Sequence, residues 1–236
     1  MLLKVRELKV GYASGADVLR GVDLSVGASS VTGLIGANGA GKSTLLKTIC
    51  GFLRRRSGAI AFDAADIGKL QPSQLATHGI AYLMEGHSVF PGLTVEENLV
   101  LGTWAFRKER ARAKQAVERA FELSSVLRAK RKVKAGLLSG GQQRILEMER
   151  LTLNDPRLVI LDEPSLGLSP KLVHEVFDRI AQMKADGAGV LVVDQSARHV
   201  CAASDHLYVL RLGEICIEGP AASFSDRIDE LVRNFI

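Results

Sequence analysis

The sequence predicts an α/β fold: a largely parallel sheet covered on both faces by helices. Strand-length apolar runs recur at Val31 to Ile35, Leu158 to Leu161 and Val190 to Val193. Helix-forming stretches separate them, and strands that alternate with helices pair in parallel. A glycine-rich loop, Gly36 to Gly41, stands between the first of these runs and a helix.

Residues 2 to 31 read as short strands broken by a Gly/Ser/Asp turn around Ala13 to Asp17, and Val31 to Ile35 follows as an apolar strand. After the glycine-rich loop a helix is predicted over Thr44 to Ile49. Further strand-like pieces around a polar helix occupy Gly58 to Tyr82. The character then changes. Thr94-Val-Glu-Glu is a capping-box pattern, and helix-forming residues run from there through Leu127, as in a helical insertion. The earlier rhythm resumes at Arg157 with the strand Leu158 to Leu161, a helix near Lys171 to Lys184 and the strand Val190 to Val193. No internal repeat is visible. A single domain over 1–236 is expected, with a core of 1–85 and 151–222, a helical subdomain over approximately 86–150 and a C-terminal helix over 223–236.

With 236 residues, 47% hydrophobic and 24% charged, the chain can bury a sizeable core. Its apolar runs fall far short of the roughly 20 residues that cross a bilayer, and the start MLLKVRELKVGY lacks a signal-peptide pattern. Cys50, Cys201 and Cys216 form neither a disulfide framework nor a metal-ligand spacing. A cytoplasmic location is expected. Net charge is +5, and between Arg107 and Lys134 eleven Lys or Arg face three acids, Glu109, Glu118 and Glu122. That segment fits a solvated helix face, or a docking surface for an acidic partner or anionic headgroups. It offers only Phe106 and Phe121 for base stacking after Trp104, so a nucleic-acid partner is not expected.

The segment Gly36-Ala37-Asn38-Gly39-Ala40-Gly41-Lys42-Ser43, followed by Thr44, fits G-x-x-x-x-G-K-[ST]. Glycines let the backbone fold tightly enough for its N–H groups to converge on phosphate oxygens. A helix N-terminus adds about half a positive charge at the same place. The expected ligand is Mg-ATP, with Lys42 on the outer phosphates and the Ser43 hydroxyl on Mg²⁺. A second half of such a site is an apolar strand ending in carboxylates, supplied by Leu158-Val-Ile-Leu-Asp162-Glu163. Asp162 is expected to hold Mg²⁺ and Glu163 to orient and deprotonate the attacking water. Taken alone, two acids at a strand end also fit a solvated turn.

Between these elements lies Leu138-Ser139-Gly140-Gly141-Gln142-Gln-Arg144, and with it the chain closely resembles the ATP-binding cassette (ABC) ATPases. The resemblance covers nearly the whole chain and implies a P-loop NTPase core with an antiparallel β subdomain and a helical insertion. Physically, Ser139 and the glycines open a helix and present a hydroxyl, free N–H groups and a positive dipole end to an anion. The resemblance implies that Ser139, Gly140, Gly141 and Gln142 meet the γ-phosphate held by a facing subunit, so that a second ATPase subunit and a transmembrane permease are partners. It also places Tyr12 against adenine and makes Gly213-Glu-Ile and Glu218-Gly-Pro a final hairpin.

Three departures from the family pattern narrow the expectation. Glu85 stands where most members carry Gln, Gln195 where a His follows the last strand, and Glu163-Pro-Ser165-Leu-Gly-Leu-Ser-Pro170 lacks the usual Asp of that loop. These resemble one ATPase subunit of branched-chain amino acid importers, although Gly86-His87-Ser88 replaces basic residues usual there. Gln195 can donate a hydrogen bond but cannot change charge. Pairing with a second subunit that carries a conventional His is therefore expected. The implied function is ATP hydrolysis, peripheral to the membrane, coupled to import of a small polar solute. The alternatives are a urea or amide importer, a lipid exporter, and a soluble ABC clamp protein.

Overall fold

The computed structural model describes residues 1–12, 15–86 and 88–235. Ala13 and Ser14 of the predicted turn therefore lie outside the described residues, as do His87 and Ile236.

Two sheets face each other. The first is antiparallel, in the order β2-β1-β4-β5, from β1 (Leu3–Gly11), β2 (Asp17–Val26), β4 (Ser57–Phe62) and the short β5 (Ala65–Asp66). Only one of its faces is buried. Along β1 the inward residues Leu3, Val5, Leu8 and Val10 keep a period of two except at Glu7, whose φ of +44° marks a bulge where the register to β2 shifts.

The second sheet holds β3 (Val31–Ile35), β6 (Ile80–Leu83), β7 (Leu158–Asp162), β8 (Gly189–Val193), β9 (His206–Arg211) and β10 (Glu214–Pro220), in the order β10-β9-β3-β8-β7-β6. Strands β9 through β6 are parallel, and only β10 runs antiparallel, closing the hairpin expected near Gly213. Every residue of β3, β7 and β8 is buried, which is the consequence of covering a sheet on both faces. One cover is the antiparallel sheet with α1 (Lys42–Ile49), packed through Leu24, Leu45, Ile49 and Ile60 onto Leu158, Ile160 and Leu191. The other is made by α7 (Pro170–Ala185), α8 (Ala197–Ala203) and α9 (Ile228–Phe235), through Val176, Ile180, Val200 and Leu231. A short helix, α2 (Pro72–Thr77), precedes β6.

The predicted helical stretch from Thr94 to Leu127 is not continuous. It comprises α3 (Val95–Gly102), a 3₁₀ turn at Trp104–Phe106, α4 (Arg110–Leu123) and α5 (Ser125–Ala129). Thr94 opens α3 with the expected capping box, Glu97 N–H donating to its hydroxyl and the Glu97 carboxylate accepting from its N–H. A second cap breaks the run: the Ser124 hydroxyl accepts from Leu127 N–H at 3.3 Å and starts α5. Likewise α1 begins at Lys42, two residues before the helix predicted from Thr44, because Gly41 already takes the left-handed conformation of its N-cap.

Helices α3, α4 and α5 share a third core with α6 (Gly140–Thr152), built on Val95, Leu99, Phe121, Leu127 and Leu146. Helix α6 also sends Met148 into the core beneath the large sheet, so it is the splint between the two bodies. Phe121 fills the centre of the helical core and carries the Arg131 guanidinium on its ring, 4.7 Å from the centroid. Phe121→Ala is expected to destabilise the chain by about 3–5 kcal/mol in a urea titration, and a loss below about 1 kcal/mol would contradict its central place.

Candidate functional site

Because five strands run parallel, their carboxyl ends lie on one edge, and the loops leaving β3, β6, β7 and β8 meet there. An open pocket of about 410 Å³ results, lined by Val18, Asn38, Gly39, Gly41, Lys42, Ser43, Thr44, Glu85, Glu163 and Gln195. The structure thus brings together the residues predicted from four separate stretches of sequence.

The loop leaving β3 turns back under its own glycines. A Cβ on Gly36 would stand 2.3 Å from the Leu210 carbonyl oxygen, and Gly41 has φ of +109°, so neither position accepts another residue without strain. Ala37 and Ala40 are joined by a 3.1 Å hydrogen bond, and the Ala40 carbonyl accepts from Gly213 N–H, which ties the loop to the final hairpin. Lys42 is buried, its ammonium donating to the carbonyls of Gly36 at 2.7 Å and Ala37 at 3.1 Å. Burial pushes the pKa of that ammonium down, while Glu163, Asp162, Asp194 and Glu85 oppose the shift.

Asp162 ends β7 fully buried. Its Oδ2 accepts from the Tyr82 hydroxyl at 3.2 Å, whereas its Oδ1 is buried without a hydrogen bond. The Ser43 hydroxyl lies beside the same carboxyl. Burial, more than any neighbour, raises the Asp162 pKa. An orphan carboxylate oxygen next to a hydroxyl is an unfavourable arrangement for the protein alone and a suitable oxygen donor set for Mg²⁺, which takes few protein ligands.

Glu163 is in the left-handed region, with φ of +48°, and its N–H donates to Val193 O at 2.7 Å. The backbone turn lifts its carboxylate off the strand and into the pocket, where Oε2 accepts from Gln195 Nε2 at 2.9 Å. Desolvation raises its pKa, with Glu85 and Asp162 adding to the rise and Gln195 and Lys42 opposing it. The residue before Gln195 is anchored to the loop after β7: the Asp194 carboxylate accepts from the Ser165 hydroxyl at 2.8 Å and its N–H at 2.9 Å, and from Ser196 N–H at 3.0 Å. Glu85 is exposed on the pocket rim.

Two predicted groups stand apart from the pocket lining. Tyr12 is 53% exposed at the end of β1, with its hydroxyl 3.2 Å from Thr44 Oγ1, so its ring flanks the start of α1. Ser139, Gly140, Gly141 and Gln142 open α6 on a different face, closed by a capping box between Ser139 and Gln142. Ser139 and Gly140 are exposed, whereas Gly141 packs so closely on Leu172 that a Cβ would lie 2.2 Å from its Cδ1.

Sequence reasoning assigned no role to Tyr82 or Arg144. Both stand inside stretches whose motifs point to other residues, and the signal the sequence offers is the i, i+3 spacing of Arg144 and Glu147, which pair in the helix that Ser139 opens.

Residues 19–166 match the family model described as ABC transporter. The chain is 36% identical over 212 residues to the high-affinity branched-chain amino acid transport ATP-binding protein BraG of Pseudomonas aeruginosa, covering 90% of each. It is 32% identical over 219 residues to the lipopolysaccharide export system ATP-binding protein LptB of Escherichia coli, covering 92% of this chain and 90% of that one. Among solved structures, a nucleotide-free ATP-binding cassette from an ABC transporter superposes with a TM-score of 0.83 at 31% identity, over 97% of this chain and 95% of its own. A loop shaped for phosphates, an acid-tipped strand beside it and a matching family model over most of the chain make this protein an ABC transporter ATP-binding subunit, a member of the ABC ATPase family.

Proposed function

We propose that the chain hydrolyses Mg-ATP between two facing cassettes and thereby energises import of a small polar solute, with branched-chain amino acids the favoured class. The convergence of Lys42, Ser43, Glu163 and Gln195 in one pocket carries the catalytic part of this reading. The transport class rests on Glu85, Gln195 and the loop after Glu163, together with the similarity to BraG and to the probable branched-chain amino acid transport protein LivF of Archaeoglobus fulgidus, 36% identical over 221 residues. The similarity to LptB keeps lipid export as the second reading.

In this proposal the N–H groups of Gly36 to Thr44 and the N-terminus of α1 take the phosphates, and Lys42 leaves its carbonyl partners for the outer ones. Asp162 Oδ1 and the Ser43 hydroxyl would hold Mg²⁺, which supplies positive charge against the triphosphate. With Oε2 held by Gln195, Glu163 Oε1 is the oxygen free to take a proton from the attacking water, while the bond from the γ-phosphorus to the bridging oxygen breaks. Ser139 to Gln142, with Ser139 and Gly140 exposed at the start of α6, would close over a nucleotide on the facing subunit. Tyr12 would flank the adenine.

The chain is proposed to divide into the core 1–85 and 151–222, the helical part 86–150 and the C-terminal segment 223–236. At the junction of the first two lies an apolar groove of about 490 Å³, which includes Phe52, Met84, Phe90, Leu101 and Trp104. We place the permease contact there. No helix among the described residues is long and apolar enough to cross a membrane, so the membrane-embedded part of the transporter belongs to such partners.

Two mutations test these assignments. Glu163→Gln is expected to lower turnover by about 10²-fold or more while an ATP-bound dimer accumulates on gel filtration, and wild-type turnover in that variant would refute the role of Glu163. A homodimer of this chain lacks a titratable group at position 195 in both sites. Gln195→His is therefore expected to raise its turnover by about tenfold, equivalent to about 1.4 kcal/mol of barrier. Equal turnover of the two homodimers would remove the reason for a His-bearing partner subunit.

A further inference from the structure

Arg144 is buried five residues into the helix that Ser139 caps, and all three of its guanidinium nitrogens donate. Nη2 reaches the carbonyls of Asp162 at 3.3 Å and Glu163 at 2.7 Å, and Nε reaches that of Pro164 at 3.1 Å. Nη1 reaches the carbonyls of Met84 and Gly86, both at 3.3 Å, and Glu147 Oε2 at 3.1 Å. These acceptors form a pattern. Residues 162, 163 and 164 bracket one pocket carboxylate, Glu163, and residues 84 and 86 bracket another, Glu85. Glu147, buried beside the guanidinium, extends the same clamp by accepting from Ser88 N–H.

We propose that Arg144 is a positioning residue for hydrolysis: it fixes the left-handed backbone at Glu163 to the loop carrying Glu85 and to helix α6, so that the carboxylate enters the phosphate pocket only while all three are in register. This rests on the reading of Glu163 as the group that takes the proton. The physical basis is the guanidinium's planar fork of five donors, which spans two loops at once. An ion pair with Glu147 would by itself account for a buried charge; it does not account for five backbone carbonyls drawn from both pocket loops. A lysine keeps the charge and loses the fork. It can satisfy Glu147 and one or two carbonyls, and the remaining ones are released.

The test is Arg144→Lys, followed by single-turnover hydrolysis with protein in excess, Mg-ATP affinity and ATP-dependent dimerisation. The expected result is a rate lowered by about tenfold to a hundredfold with nucleotide affinity nearly unchanged, since a misplaced catalytic group costs rate without costing ground-state binding. In addition, the Arg144→Lys, Glu163→Gln double variant is expected to dimerise with ATP as Glu163→Gln alone does. A wild-type rate in Arg144→Lys overturns the proposal, and so does loss of affinity or dimerisation in parallel with rate, because that is the result of a purely structural anchor. If Arg144→Lys does not fold, Glu147→Gln loosens the same clamp with Arg144 in place: a severalfold lower rate at unchanged affinity supports the proposal, and an unchanged rate overturns it. Failure of the reading beneath it would appear separately, as normal turnover in Glu163→Gln alone.

Discussion

The parallel register of the large sheet is the constraint on which the site depends. Leu34 lies opposite Val193, and Val193 opposite Asp162, so the loop after β3, the acid at the tip of β7 and the residues after β8 emerge side by side. A one-residue slip of any of these strands would exchange its two buried faces and withdraw one component of the pocket. Burial of both faces prevents that slip. Val159 and Leu161 pack toward α7 and α8, and Leu158 and Ile160 pack toward α1 and the antiparallel sheet, so neither side is free to become the other.

Against this rigid edge the charges are arranged at some cost to the isolated chain. Asp162, Glu163 and Glu85 converge, and burial with mutual repulsion raises the pKa values of the first two. Lys42 supplies a positive charge but spends its hydrogen bonds on its own loop. A ligand that brings Mg²⁺ and phosphates would relieve both conditions at once, giving Asp162 Oδ1 a partner and Lys42 an anion. Binding free energy and local strain are in this sense complementary.

Much of this was legible in the sequence, and for physical reasons. The runs Leu158–Leu161 and Val190–Val193 are apolar because two covers press on them, and the turn after β3 requires glycine by close approach at Gly36 and by positive φ at Gly39 and Gly41. Thr94 announced its helix because the capping box is a local interaction. What escaped depended on contacts that no pattern in the sequence announces. The run after Thr94 looked continuous because Ser124 is read as a cap only once Leu127 is seen to donate to it. The left-handed turn at Glu163 follows from its bond to Val193 O, thirty residues away in sequence, and Arg144 reveals nothing until the carbonyls of two loops are brought to it.

The central claim is that this strand-edge pocket takes Mg-ATP, and titration calorimetry of the wild-type chain with ATP in excess magnesium tests it most directly. Saturable binding is expected, weakened by about tenfold or more in Lys42→Ala through loss of a charge-assisted contact to phosphate. An absence of binding heat at several temperatures, or equal affinity in Lys42→Ala, would contradict the account.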